Sequence, residues 1–409
     1  GEGMGPYDSR TLVKLPGMSF WLAGLKQLGI PYAQGMLSFY MVACLYFVSA
    51  IRELKFSRIL ALLVFLICIF NPMTFDPQWY RVMREPLSTS LLFITFGALI
   101  YSSMLIRNGD WSKWYHLVAL AVSLSLAIIV REEDQLLWGL LVMAVIFLVF
   151  DAWLVGQLRR RRVAILAVLI LPAMSILMTE KMAENQIEKW YGLPILHDFA
   201  EGEFPRLVAA IRSVNGGFTD RHVMVSQTTL ATLRENVESF RPVIDRLPPP
   251  GPDSYSCYRF QVCDEWTNGW MLFWIKDAAH AAGLTPNVIE GQAYFRTVRE
   301  EIEEKCTNGV LNCKRFGNGL LPRFQLVWLG NYLVESIGIL EMMFLPGFGQ
   351  VQPPPLKYPV SVEVGRIFQE ITLTPRFDSL AHSGNDEAAW DSYPKNTYLS
   401  LKYWLRYPD

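Results

Sequence analysis

With 409 residues, 52% of them hydrophobic and 13% aromatic, the chain is more apolar than an ordinary soluble domain, and its mean hydropathy is +0.22. Its formal net charge is -1, and no basic stripe runs through it apart from Arg159, Arg160, Arg161 and Arg162, which excludes the electrostatic footprint of a nucleic-acid binder. The opening GEGMGPYDSR has no positive start, apolar run and cleavage site, so it is not a signal peptide; a chain without an initiator Met that stops at LRYPD reads as a piece of a longer polytopic protein.

Residues 1–33 form a first segment, polar and then half apolar. Its last part, MSFWLAGLKQLGIPY, contains Lys26 and is shorter than the roughly 20 residues a membrane span needs, so it reads as an interfacial or re-entrant helix. Residues 34–178 read as a bundle of about six membrane helices, on apolar segments at 35–51, 59–72, 87–106, 114–130, 136–156 and 163–178. The second and sixth are short and extend into their flanks. Alternate connections are basic: Arg52, Lys55 and Arg58 in the first, Arg107 and Lys113 in the third, the four arginines from Arg159 in the fifth. Basic short loops stay in the cytoplasm, which places connections 70–86 and 131–134, residues 1–33 and everything after 178 outside.

Cysteine use points the same way. Cys44 and Cys68 fall in apolar spans, whereas Cys257, Cys263, Cys306 and Cys313 all lie in the hydrophilic region expected outside. An even number in an oxidising compartment implies two disulfides, with three connectivities open. Their spacing is unlike that of a zinc site. Residues 179–322 read as a disulfide-containing extracytoplasmic domain of mixed, mainly α, structure. LVAAIRSV, NVESFRPVIDRL, NGWMLFWIKDAAHAAGL and QAYFRTVREEIEEKC have helical spacing, and RHVMVS is expected to be a short buried strand. In the tail, 323–409, an amphipathic helix over 324–345 precedes one strand, YPVSVEVGRIF. The fold class is therefore a polytopic α-helical membrane protein with an extracytoplasmic domain.

The expected outer loops collect charge: Asp8, Arg10 and Lys14 in the first, Asp76, Arg81, Arg84 and Glu85 in the second, Arg131, Glu132, Glu133 and Asp134 in the third. Ion pairing and contact with lipid phosphates is the plain explanation. Ionisable groups at a membrane boundary also mark sites, since arginine forks grip phosphate oxygens while a carboxylate takes a proton from a hydroxyl. Sugar transfer from a polyprenyl-phosphate carrier needs both.

The run GPYDSRTLVKLPGMSFWLAGLKQLGIP, with Lys14-Leu15-Pro16-Gly17 leading into a membrane helix, resembles the first outer loop of bacterial integral-membrane glycosyltransferases of the GT-C superfamily. RVMRE, VREED and the region from DEWTNGWMLFWIKDAAHAAGL to REEIEEKCTNGVLNC are similar to further outer-face elements of that superfamily. The resemblance implies a multi-pass protein of the bacterial inner membrane that takes a lipid-linked sugar donor within the membrane lipid and transfers the sugar to an envelope acceptor on the periplasmic face. It implies Asp8 as catalytic base, with Glu85 or Glu132 beside it, Arg81, Arg84 and Arg131 as the phosphate grip, and Lys14 assisting. The superfamily's usual first membrane helix and following acidic pair have no counterpart in this sequence, so an upstream acid is the alternative to Asp8. A divalent metal is left open, as is the oligomeric state. The other class of function is a non-enzymatic membrane protein whose outer domain binds an envelope component or a partner.

Weaker signals remain. His116, His197, His222, His280 and His382 show no metal-ligand spacing, and no nucleotide-binding or nucleophile-elbow motif occurs. Trp138, Trp153 and Trp190 read as interface anchors. Trp266, Trp270 and Trp274, four apart, form an aromatic stripe that either packs or faces a glycan or membrane.

Overall fold

The computed structural model describes residues 7–70, 84–108, 111–132, 136–154, 156, 158–216, 223–249, 265–266, 268–313, 330 and 370–373. The chain divides into two compact units: Gly1–Leu15 with Glu180–Leu329, here the hydrophilic unit, and Pro16–Thr179 with Gly330–Asp409, here the bundle.

In the bundle the helices are α1 (Gly17–Gln27), α2 (Tyr32–Glu53), α3 (Arg58–Ile69), α4 (Glu85–Asn108), α5 (Tyr115–Val130), α6 (Leu137–Leu154) and the first part of α7 (Leu158–Tyr191). Each apolar segment expected from the sequence contains a helix among its described residues. Four helices, α2, α4, α6 and α7, are long and apolar enough to cross a membrane. At 12 and 16 residues, α3 and α5 span about 18 and about 24 Å, against a hydrocarbon core of about 30 Å. The sixth segment, expected at 163–178, continues as helix to Tyr191, with Pro172 inside it.

Directions within the bundle follow from side-chain contacts. Tyr40 of α2 meets Phe93 of α4 with ring centroids 5.9 Å apart, and Tyr46 meets Tyr101 at 5.6 Å. Residue numbers rise together, so α2 and α4 are parallel. The chain between them, α3 included, must therefore return from one end of the bundle to the other, and Tyr40 Oη donates to the Cys68 carbonyl, 2.7 Å away, near the end of α3. The next helix, α5, runs antiparallel to α4: Arg84 reaches the Val130 carbonyl at 3.3 Å, Thr95 Oγ1 lies 3.0 Å from Ser123 Oγ, and Tyr101 stacks on His116 at 3.8 Å.

Close approach is carried by a glycine and by hydroxyls. A Cβ on Gly97 would lie 2.9 Å from Tyr46 Cδ1 and 3.2 Å from the Phe47 Cα, so α2 and α4 meet where no side chain fits. Ser125 Oγ bonds Ser175 Oγ at 2.7 Å, tying α5 to α7. Buried on nearly all sides, α5 is the central helix, as its uniform apolarity dictates. Outward faces of α3, α6 and the bundle part of α7 keep large apolar side chains exposed, Ile59, Phe147 and Met178 among them, as expected of helices facing lipid.

The hydrophilic unit contains α8 (Phe204–Ser213), α9 (Gln227–Asn236), α10 (Arg241–Ile244), α11 (Asn268–Ala281) and α12 (Val288–Thr307). Phe204, Leu207 and Ile211 of α8 pack with Phe295, Val298 and Ile302 of α12, with Phe240 and Met271 in the same core. Asn287 caps α12 by accepting from the Glu290 N–H at 2.9 Å while its amide donates to Glu290 Oε1 at 2.7 Å, a reciprocal cap. Cys306 and Cys313 are disulfide-bonded, and Cys313 forms an isolated bridge with Val214. Cys257, Cys263 and the strand expected at 358–368 lie outside the described residues.

No strand is present among the described residues. Within RHVMVS, Val225 is buried as expected, but Ser226 Oγ accepts from the Thr229 N–H at 3.2 Å and starts α9 at once. A helix cap has overridden the short alternating pattern. The tryptophan stripe is also corrected in part: Trp266 precedes α11, packs edge-on to Trp274 at 6.4 Å and donates to the Pro248 carbonyl at 3.0 Å, while Trp270 is exposed.

The α2–α4 contact is testable. Gly97→Leu is expected to lower bundle stability in detergent unfolding by about 1–3 kcal/mol through overpacking. Gly139→Leu, where an added Cβ meets nothing within 4 Å, should leave it unchanged. Equal behaviour of the two variants would contradict the packing described.

Candidate functional site

One end of the bundle gathers four of the residues singled out in the sequence. Because α4 starts where α5 ends, Arg84 and Glu85 at the head of α4 share this end with Arg131 and Glu132 after α5. Arg84 donates to Glu132 Oε2 at 2.5 Å and to the Val130 carbonyl at 3.3 Å, with side chains 14% and 21% exposed. Glu85 sits in the first turn of α4, where the helix dipole favours a carboxylate. Its Oε2 is buried and has no hydrogen-bond partner among the described residues. Arg131 is half-buried, in extended backbone that ends α5. The head of α1 lies here too: a Cβ on Gly17 would sit 2.7 Å from the Ile129 carbonyl oxygen. Arg81 lies outside the described residues.

Chemically, this end offers two guanidinium groups and two carboxylates. The Arg84–Glu132 pair compensates itself and fastens α4 to α5. Glu85 is the group free to take a proton from a hydroxyl, since a buried carboxylate oxygen without a donor is costly unless something else supplies one.

Asp8 and Lys14 belong to the hydrophilic unit, and both are committed there. Asp8 Oδ1 accepts from the N–H groups of Arg10 and Thr11, each at 2.8 Å, and from Thr11 Oγ1 at 3.0 Å, which makes its carboxylate the cap of a turn. Arg10 donates to Asp277 Oδ2 at 2.5 Å, and its guanidinium lies 4.8 Å from the centre of the Phe273 ring. Lys14 Nζ is over the same ring at 5.9 Å.

What fixes this first segment is a buried ion pair that the sequence does not advertise. Lys276 of α11 and Asp198 are 2% and 0% exposed and 2.5 Å apart. Lys276 Nζ also donates to the Thr11 carbonyl at 3.2 Å, the Asp198 N–H donates to the Leu12 carbonyl at 2.8 Å, and Gln292 Nε2 donates to Asp198 Oδ1 at 3.2 Å. Gln292 Oε1 in turn accepts from the Glu203 N–H at 2.6 Å. His197 Nε2 donates to the Val13 carbonyl at 2.9 Å. Leu12 adopts a positive φ of 59°, a strained turn held by these bonds. Burial pushes the Asp198 carboxyl above the ordinary range, and the charge and hydrogen bond of Lys276 pull it only part of the way back. At Glu203 burial is outweighed, because Arg299, Arg206 and Arg296 surround the carboxylate and hold it below its ordinary value.

The histidines serve structure where they are described. His116 Nδ1 is 2.7 Å from Tyr46 Oη, and His280 Nδ1 donates to the Thr285 carbonyl at 3.1 Å. Among the described residues no three His, Cys, Asp or Glu side chains are grouped to hold a metal ion.

The buried pair carries a prediction. Lys276→Met leaves Asp198 buried and uncompensated, and is expected to cost about 3–5 kcal/mol in chemical unfolding at neutral pH. Because the folded Asp198 pKa is raised, its ionised form opposes folding above that pKa, and the penalty fades as pH falls toward the unfolded value of about 3.9. The deficit of the variant should therefore shrink on acidification; a deficit independent of pH would show that Asp198 is not the group responsible. Compared with family models, curated proteins and solved structures, the chain matches none.

Proposed function

We propose that the chain is a glycosyltransferase of GT-C type in the bacterial inner membrane, moving a sugar from a polyprenyl-phosphate carrier to an envelope acceptor on the periplasmic face. The observation that carries this reading is Glu85: a carboxylate oxygen buried without a hydrogen-bond partner among the described residues, one position from Arg84 at a bundle end that also holds Arg131. An acceptor hydroxyl would supply the missing donor and lose its proton to Glu85 as it attacks the sugar carbon. The carrier phosphate leaves with the bonding electron pair, and its developing charge is met by Arg131 and Arg84. In this reading Glu132 orients Arg84, and Arg81 adds to the same loop. The basic connections at the opposite end of the bundle support an outward orientation for Glu85, and the Cys306–Cys313 disulfide supports an oxidising compartment for the hydrophilic unit, which would then select the acceptor.

The engagement of Asp8 in its own turn shifts the role of base from Asp8 to Glu85. It also favours a second reading, in which the hydrophilic unit binds an envelope component and no sugar is transferred.

The two are separated in proteoliposomes supplied with polyprenyl-phosphate sugars. Glu85→Gln is expected to reduce transfer by about 10²–10⁴-fold; Arg84→Ala and Arg131→Ala should abolish it, and Arg84→Lys should restore part. Helix content and membrane insertion should not change. Full turnover in Glu85→Gln and Arg131→Ala would sink the enzyme assignment. Separately, a peptide cross-linking Cys306 to Cys313 should be recovered by mass spectrometry from protein alkylated without reductant. Two alkylated thiols there would remove the compartment argument.

A further inference from the structure

The opposite end of the bundle holds a cavity of about 830 Å³ at the α2–α3 turn, open to the surface and lined by Arg52, Lys55 and Arg58. None of the three has an acidic partner among the described residues. The one carboxylate of the lining, Glu53, is 3.7 Å from Lys113 and so already neutralised. Among the described residues three cations line the cavity beside that single carboxylate, and Lys55 holds a positive φ of 65° in the turn that carries them.

A second feature favours the same ligand. The head of α3 opens into this cavity, with Ser57 as cap accepting from the Leu60 N–H at 3.1 Å. First-turn N–H groups and the helix dipole add to the positive field. The lining itself includes the half-exposed Phe56, and from there α3 carries an apolar track on which Ile59, Leu62 and Ile67 are 74%, 56% and 67% exposed. A charged head above and an exposed apolar track beneath match an amphiphile better than a free ion.

We propose that this cavity binds the phosphate of an anionic phospholipid, with the acyl chains lying along the exposed face of α3. The site is distinct from the Arg84 end and does not depend on the enzyme reading. Its charge supply fits, since each basic residue near a membrane surface adds roughly 1 kcal/mol of attraction to anionic lipid, about a fivefold gain apiece. Basic pockets at helix ends act as headgroup sites on this principle, with arginine giving two parallel bonds per phosphate.

The full chain is tested in detergent by native mass spectrometry with phosphatidylglycerol and phosphatidylcholine added in competition. The protein is expected to retain phosphatidylglycerol with a preference of at least about tenfold. The triple variant Arg52→Gln, Lys55→Gln, Arg58→Gln should lose that preference, whereas Arg52→Lys with Arg58→Lys should keep most of it. Excess inorganic phosphate should not displace the lipid. An unchanged preference in a triple variant that retains the helix content and melting temperature of the parent would overturn the site. Displacement by inorganic phosphate would overturn the lipid as its ligand. Should the triple variant not fold, Arg58→Gln alone, expected to lose about fivefold, decides by the same criteria.

Discussion

The parallel course of α2 and α4 is the constraint on which the bundle depends. Two parallel helices in sequence cannot be joined by a hairpin, so the chain must cross back between them, and α3 is the element that starts that return. Gly97 permits the close contact that fixes this geometry, by leaving room for the Tyr46 ring against the α4 backbone. Once α2 and α4 are parallel and α5 is antiparallel to them, every connection is assigned to an end. The α2–α3 turn and the α4–α5 connection share one, and the heads of α1 and α4 share the other with the end of α5. A 12-residue helix that falls short of a membrane's thickness by itself thus still belongs to an alternating bundle.

In the hydrophilic unit the corresponding element is the Lys276–Asp198 pair. Burying two charges is expensive, and mutual attraction alone seldom repays it. Here the Lys276 ammonium also binds backbone, holding the Thr11 carbonyl, while the backbone N–H of Asp198 holds that of Leu12. The pair therefore specifies where residues 7–15 go more than it stabilises the unit as a whole. It acts together with the Arg10–Asp277 pair and the His197 bond to the Val13 carbonyl, which hold the same segment on either side of the left-handed Leu12. The first segment is thereby made part of a unit whose other residues begin only at Glu180.

How far the sequence foretold this depends on whether the signal was local. All six apolar segments became helices because a sustained apolar run is a local property. The extension of α7 past Met178 was hidden by Glu180, Lys181 and Glu184, which end the apolar run but are good helix formers and do not end a helix. RHVMVS was misread because two valines alternate over too short a window, while the serine that caps α9 carried the stronger instruction. Asp8 shows the reverse case: Asp-x-x-Thr is a local turn signal, and its spacing to Thr11 matches the capping bonds that its carboxylate makes. Lys276 and Asp198 are 78 residues apart and no pattern relates them; only the fold does. Even cysteine count implied disulfides and left their connectivity open, and among the described residues only the Cys306–Cys313 pairing is settled, Cys306 lying in the last turn of α12 and Cys313 seven residues on.

The two ends of the bundle treat charge in opposite ways, and the contrast bears on what each can do. Among the described residues at the Arg84 end opposite charges are present in equal number, and the Arg84–Glu132 contact is made within the protein. Such an end has little net attraction for an anion from afar. A ligand there must compete with an existing pair, so selectivity has to come from shape and from the buried Glu85 carboxylate oxygen. At the α2–α3 end three cations face a single carboxylate that Lys113 already occupies. That end has field without a built-in competitor, the condition for holding an anion by charge alone, with little demand on the ligand's detailed form. A compensated site suits a reactant that must arrive and leave, whereas an uncompensated one suits a resident lipid.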